Sequence, residues 1–294
     1  MESEMESKTD ETEDRKPRLS VVAIGRDAAQ YLPRSLGSVL KQMTDDVELV
    51  FVDDASTDTT ASVVETLVGD RPNVTLLKNE RPRGPGGARN VGVQNAKGEY
   101  VWFVDGDDWI TDGAVERVMK ALGEGKDLVL LPFTVRTPKG DQPRLPSVVQ
   151  KLEQAIGWPI SQCDAAFRRE LYVPMPEQVF AEDVVWHFMQ YDRFSSYTSV
   201  EGEDPVYVWD CTVPGATTRT VEWFWSHPMT LEQLAFENVL PKAGLKDKYV
   251  SDCLRNIANL YDVRNSLKQQ WVRDGWANYF RSVVSRCLSG HIGH

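Results

Sequence analysis

Cysteine is scarce: Cys163, Cys211, Cys253 and Cys287 are scattered over 294 residues and form no CxxC pair. That spacing offers neither a thiolate metal cluster nor a disulfide framework, and it fits a reducing cytoplasm. No apolar stretch approaches the roughly 18 residues that a membrane-spanning helix needs. The N-terminus is polar and acidic and does not read as a signal peptide. There is no GxxxxGK[ST] phosphate loop. The nearest approach to GxGxxG has Gly84 and Gly86 but carries Arg89 where the third glycine belongs, and no strand runs straight into it, which excludes a dinucleotide-dependent dehydrogenase. Positive charge is also short. With 33 Lys and Arg against 44 Asp and Glu, the net charge of −11 argues against non-specific nucleic-acid binding by the whole surface.

What is present is a soluble globular composition, 41% hydrophobic and 26% charged. The charge is uneven. Residues 1–16 hold seven acids and three bases with almost no apolar content, so 1–17 reads as a disordered acidic tail. Residues 241–294 hold nine Lys and Arg against four Asp and Glu. The plain reading of that excess is a solvated helical face; the alternative is contact with an anionic partner or a membrane surface.

The chain is organised around Tyr100–Ile110, YVWFVDGDDWI. Its first five residues are β-branched or aromatic and predict a buried strand. The strand then breaks into Asp105-Gly106-Asp107-Asp108. Carboxylates this close raise each other's pKa unless a positive charge sits among them, and a divalent cation that keeps positions open for phosphate is the natural partner. The plain alternative is an acidic turn.

Upstream, Leu19–Ile24, Val47–Val52 and Asn73–Lys78 read as strands, with helices over Tyr31–Leu40, Ala61–Leu67 and, after a glycine-rich loop at Arg83–Gly87, Ala88–Ala96. Ser56 or Asp58 is the expected cap of the second helix. A helix over Asp112–Leu122 and a single strand over Asp127–Val135 follow. Strand and helix therefore alternate over the first 135 residues, which predicts an α/β fold with a mostly parallel sheet. Ligands bind such sheets beyond the carboxyl ends of the strands. Gly25-Arg26-Asp27, Asp53-Asp54 and Asp105–Asp108 should therefore converge on one crevice, with Arg81, Arg83 and Arg89 suited to phosphate.

The blocks SVVAIGRDAAQYL, ELVFVDDASTD and GGARNVGVQNAKGEYVWFVDGDDWI, in this order over some ninety residues, resemble the family-2 glycosyltransferases of GT-A fold. The resemblance implies a Rossmann-like, mostly parallel mixed sheet flanked by helices. It implies transfer of a sugar from a nucleotide-diphosphate donor, usually a UDP-sugar, to an acceptor hydroxyl in a glycan or polysaccharide, with inversion. By resemblance, Asp54 matches the uracil-binding aspartate, Asp27 the first-loop asparagine, and Arg89 the arginine near the donor phosphates. Asp105, Gly106 and Asp107 form the DxD, with Asp105 toward the ribose and Asp107 on Mn2+ or Mg2+. Ile24-Gly25-Arg26-Asp27 departs from the family's Pro-x-Tyr-Asn; Arg26 replaces a tyrosine, and a guanidinium stacks on a base or pairs with a phosphate.

Phe180–Trp186 contains Glu182-Asp183, which resembles the family's acceptor-side pair. An inverting transfer needs a carboxylate to accept the acceptor's proton, and Asp183 is expected as that base with Glu182 beside it. The alternative is a pair of acids favoured at a helix start. Trp158, Arg168 and Arg169 are weaker candidates for the acceptor or phosphate side, and Thr217, Thr218 and Arg219 for diphosphate contact; His187 is left out of the catalytic set. Val206–Trp209 reads as a strand. The expected domains are a catalytic unit over 18–220, its donor half ending near 135, and a helical C-terminal extension over 221–294. The expected location is cytoplasmic; the extension reads as a packing face against the catalytic domain, with a peripheral membrane contact as the alternative, and is expected to set acceptor, oligomer or location. Two other classes stand beside this reading: a catalytically silent GT-A binding module, and the same fold acting on modified DNA or transferring a nucleotidyl group.

Overall fold

A computed structural model describes residues 16–146, 149, 162–175, 177, 182, 183, 186 and 193–213. The expectations for the acidic tail, Trp158, His187, Thr217–Arg219 and the C-terminal extension lie outside the described residues.

The element order begins β1 (Leu19–Gly25), α1 (Leu32–Leu40), β2 (Val47–Asp53), α2 (Thr60–Val68), β3 (Val74–Lys78), α3 (Gly84–Asn95), β4 (Tyr100–Asp105). It continues through β5 (Trp109–Ile110), α4 (Ala114–Leu122), β6 (Leu128–Leu130), β7 (Phe133–Thr137), β8 (Gly140–Arg144), β9 (Ala165–Arg168), β10 (Tyr197–Ser199) and β11 (Tyr207–Asp210). Seven strands form the main sheet in the order β10-β6-β9-β4-β1-β2-β3. β1, β2, β3 and β4 are mutually parallel, β6 and β10 are parallel, and β9 runs antiparallel between β4 and β6. A second sheet, β5-β11-β7-β8, stands beside it.

The buried strands explain the unbroken apolar runs. Every residue of β2 is buried, as are the first six of β1 and the first five of β4, because a parallel sheet is covered on both faces. β1 leads to β2 on one side and lies against β4 on the other, so the topological switch point falls between β1 and β4. Their carboxyl ends are in register: Ile24 pairs with Asp105, and Gly25 with Asp53. Three of the polar strand ends are thereby brought side by side.

Two sequence expectations are corrected. Helix α3 starts at Gly84, not Ala88. Pro85 presets the backbone of the first turn, and the Asp54 carboxylate accepts hydrogen bonds from the amides of Arg83 and Gly84, at 2.9 Å each. The glycine-rich segment is thus helical because a distant carboxylate caps it. The run at 127–135 is two strands in two sheets rather than one. The break falls at Leu131-Pro132, where proline has no amide to donate; the Pro132 carbonyl instead accepts the amide of Val206. β5, β8, β9 and β10 were not expected as strands at all.

Helix α3 lies directly on the sheet. A Cβ placed on Gly92 would sit 2.3 Å from Val22 Cγ1. Gly92→Ala should therefore lose about 1–3 kcal/mol of stability through overpacking, read as a lower midpoint in urea unfolding; an unchanged midpoint would show that α3 does not bear on β1 this closely.

Candidate active site

The strand β4 ends in a turn closed by the Asp108 amide on the Asp105 carbonyl at 3.1 Å. Gly106 within it is set by proximity: a Cβ there would meet the Ile24 carbonyl oxygen at 2.8 Å and Gly25 Cα at 3.3 Å. The four acids around the turn then have separate fates. Asp105 Oδ1 accepts from Arg89 Nη2 at 2.6 Å. Asp108 is buried; its carboxylate accepts the Tyr207 hydroxyl and, at 2.8 Å, the Asp210 amide. Asp210 is buried and accepts from Arg34 Nη2 at 2.8 Å and from the Thr212 amide. Asp107 takes a donor only from its own backbone amide among the described residues. Burial, then the negative charges of Asp105 and Asp210, push its carboxyl up to about 6. Asp108 is driven well above the usual carboxylate range by burial and by Asp107 and Asp105.

Arg89 projects from α3 and is 2% exposed. Besides Asp105 it donates Nη1 to Glu182 Oε1 at 2.7 Å. The arginine expected near donor phosphates is therefore enclosed by two carboxylates, Asp105 from the end of β4 and Glu182 from a segment far downstream. Asn90, the next residue, exchanges two hydrogen bonds with the Met175 backbone at 2.9 and 2.7 Å and accepts the Tyr172 hydroxyl at 2.6 Å. An aromatic cluster of Phe103, Phe167, Tyr172 and Trp186 packs under this junction. Glu182 and Asp183 are thus held against the carboxylate turn by α3. Burial raises the Glu182 carboxyl to about 7, the charge of Asp183 adds to the rise, and Arg89 only partly opposes it.

The base-side residues form a second cluster. Asp27 adopts positive φ, +50°, a conformation that Asx residues tolerate. Its Oδ1 accepts the amides of Thr57 and Asp58 at 2.7 and 3.3 Å, and its own amide donates to Ser56 Oγ at 3.0 Å. These bonds tie the loop after β1 to the loop after β2 and hold the Asp27 carboxyl below its ordinary value, the Thr57 amide first among the causes. The N-cap of α2 is Thr59, and Asp58 just before it accepts the amide of Thr60, the first residue of the helix, at 2.9 Å. Arg26 is half exposed, 3.9 Å from Asp27. Ile24 closes the floor beside Asp105.

Asp54 is buried and takes three donors: the amides of Arg83 and Gly84, and the Asn79 side-chain amide at 2.7 Å. A carboxylate offers about four acceptor positions. Its neighbour Asp53 is also buried. Oδ1 accepts the Ser56 amide at 2.8 Å, but Oδ2 has no hydrogen-bond partner and lies 3.7 Å from Lys78 Nζ. Sequence reasoning placed Asp53 in the crevice only as a member of the Asp53-Asp54 strand end, and it passed over Asn90, Tyr207, Asp210 and Arg34. The DD dipeptide signalled the first, and the others carry no local signature.

Arg168 and Arg169 are placed elsewhere. β9 pairs antiparallel with β4, setting Arg168 against Tyr100 at the opposite end of the sheet. Arg168 pairs with Glu99 at 2.6 Å, and Arg169 donates to the Gly98 carbonyl at 2.7 Å.

Among the described residues no three His, Cys, Asp or Glu side chains gather to hold a metal unaided. The single underserved carboxylate of Asp107, raised by like charges, fits instead an ion held by one or two carboxylates and completed by substrate phosphates.

With this geometry in hand, comparison with known proteins decides the family. Residues 20–178 match glycosyl transferase family 2. The chain belongs to that family. It is 34% identical over 110 residues to a GalNAc(5)-diNAcBac-PP-undecaprenol beta-1,3-glucosyltransferase of Campylobacter jejuni, covering 37% of this chain and 36% of the relative. It is 32% identical over 101 residues to an uncharacterised glycosyltransferase of Haemophilus influenzae, covering 34% and 40%. These matches span less than half of either relative. The crystal structure of Staphylococcus aureus TarS 1–349 in complex with UDP-GlcNAc superposes with a TM-score of 0.65 at 19% identity, covering 93% of this chain and 92% of that one. The mannosyltransferase PcManGT of Pyrobaculum calidifontis, in complex with GDP-Man and Mn2+, superposes with a TM-score of 0.56 at 20% identity, covering 93% and 88%. The fold is GT-A, a large, mostly parallel sheet flanked by helices.

The raised Glu182 carboxyl fixes a sign. Between its ordinary value of 4.5 and about 7, the folded chain holds this proton and the unfolded chain has lost it. Raising the pH through that window therefore destabilises the fold. Wild-type protein should lose stability relative to Glu182→Gln between pH 5 and pH 8; parallel pH profiles would contradict the assignment.

Proposed function

We propose that this family-2 chain transfers a sugar from a nucleotide-diphosphate donor, a UDP-sugar by the family resemblance, to a hydroxyl of a glycan acceptor, with inversion. The observation that carries the reading is the convergence at the switch point. Asp105 at the end of β4, two residues before Asp107, is joined through buried Arg89 to Glu182, the neighbour of Asp183. This link supports reading Asp105 and Asp107 as the donor-side acids and Glu182 and Asp183 as the acceptor-side acids of one site.

The roles follow from the chemistry. Ile24, Arg26, Asp27 and Asp54 frame the nucleoside, with Arg26 the exposed guanidinium and Asp53 adding a spare buried oxygen. Asp105 orients the ribose side while Arg89 fixes its carboxylate. Asp107 would hold Mn2+ or Mg2+, and such an ion would supply positive charge against the diphosphate leaving group. Asp183 accepts the proton as the acceptor oxygen bonds to the anomeric carbon and the carbon–oxygen bond to the diphosphate breaks. Glu182 stays beside Asp183 as its electrostatic neighbour and as a partner of Arg89. Two nucleotide-sugar-bound structural relatives, one with UDP-GlcNAc and one with GDP-Man and Mn2+, support this class of donor and ion.

A thermal-shift panel of nucleotide sugars with and without Mn2+ tests the reading. One donor should stabilise the wild type only when Mn2+ is present, and Asp107→Ala should lose that shift. The shift should fade below pH 6, where a proton competes for Asp107. Retention of the shift by Asp107→Ala would remove that residue from the site. Asp183→Asn should keep the donor-induced shift while transfer falls by at least about 100-fold, the scale of a lost general base; near-normal turnover would remove it from the role.

A further inference from the structure

Arg34 lies in the first turn of α1, far in sequence from the carboxylate turn, yet three of its contacts bear on that turn. Its Nη2 donates to the main-chain carbonyl of Asp107 at 3.3 Å. The same nitrogen donates to Asp210 Oδ2 at 2.8 Å. Its guanidinium carbon stands 3.8 Å from the ring centroid of Trp109, two residues beyond Asp107. Asp210 in turn lends its amide to Asp108 at 2.8 Å. The turn is therefore gripped from both sides, by α1 through Arg34 and by β11 through Asp210 and Tyr207.

An ordinary surface ion pair would be worth little. This one differs because the Asp210 side chain is 4% exposed while that of Arg34 is 44% exposed. A buried acid thus stands beside the Asp107 turn, and Arg34 is its counter-charge. A planar guanidinium stacks on an indole and bonds a carboxylate in the same pose, which an ammonium does not reproduce.

We propose that Arg34 is a positioning residue for the metal-binding carboxylate: it sets the backbone of Asp107 and balances Asp210, so that the Asp107 side chain is presented to the ion. The proposal rests on the functional reading above.

The test measures Mn2+ binding directly, by the loss of the free-ion paramagnetic resonance signal, in the presence of UDP or GDP, whichever supports uptake by the wild type. Nucleotide affinity without metal is measured alongside by calorimetry. Arg34→Ala should weaken Mn2+ binding by about tenfold, the usual scale for outer partners of a metal ligand, and leave metal-free nucleotide affinity unchanged. Should Arg34→Ala melt well below the wild type, Arg34→Lys carries the test; it keeps the charge on Asp210 but not the stack on Trp109, and it should bind Mn2+ more weakly than the wild type. Wild-type Mn2+ affinity in either folded variant, or an equal fall in metal-free nucleotide affinity, overturns the proposal. A wild type that takes up no Mn2+ with either nucleotide overturns the functional reading itself, and this inference with it.

Discussion

Arg89 lies wholly inside the protein, and a charge in that position persists only where carboxylates come to it. Two do, from opposite halves of the chain: Asp105 at the end of a central strand, and Glu182 in the acceptor segment. Removing one partner from a buried pair of this kind costs about 3–5 kcal/mol, because the other charge is stranded. The arrangement is better understood as a constraint on geometry than as a source of stability. It fixes where the acceptor segment stands relative to the carboxylate turn.

Helix α3 is what makes that constraint possible. Its N-terminus is capped by Asp54 from β2, its glycines let it lie directly on β1, and its middle carries Arg89 and Asn90 in succession. One element therefore registers the Asp54 loop, the carboxylate turn and the segment carrying Met175 and Glu182 against each other. Asp54 has a structural duty that its position in a DD dipeptide does not reveal, and a substitution there would loosen α3 as well as any ligand contact.

Much of the fold was legible because buried parallel strands leave unbroken apolar runs. Leu19–Ile24, Val47–Val52 and Tyr100–Val104 each end in polar residues, and the switch-point rule brings those ends together. The start of α3 was not legible, since a Gly-Pro-Gly-Gly segment reads as a loop unless its cap is known, and the cap lies thirty residues away. The run at 127–135 hid a change of sheet at Pro132, because apolar composition does not say which sheet a strand joins. In the site, clustered acids announced themselves, but their partners did not. Arg34, Tyr207 and Asp210 matter through contacts spanning 73 to 176 positions in sequence, and Arg168 and Arg169 looked like site residues only because they are arginines near the acceptor block.

The claim that Arg89 binds the two halves into one unit is tested most directly by a double-mutant cycle. Asp105→Asn, Glu182→Gln and the double variant are compared by urea unfolding at pH 8. Residues in one charged network should show a coupling of about 1 kcal/mol or more. Losses that simply add, within about 0.3 kcal/mol, would mean that the two carboxylates do not act through a shared guanidinium.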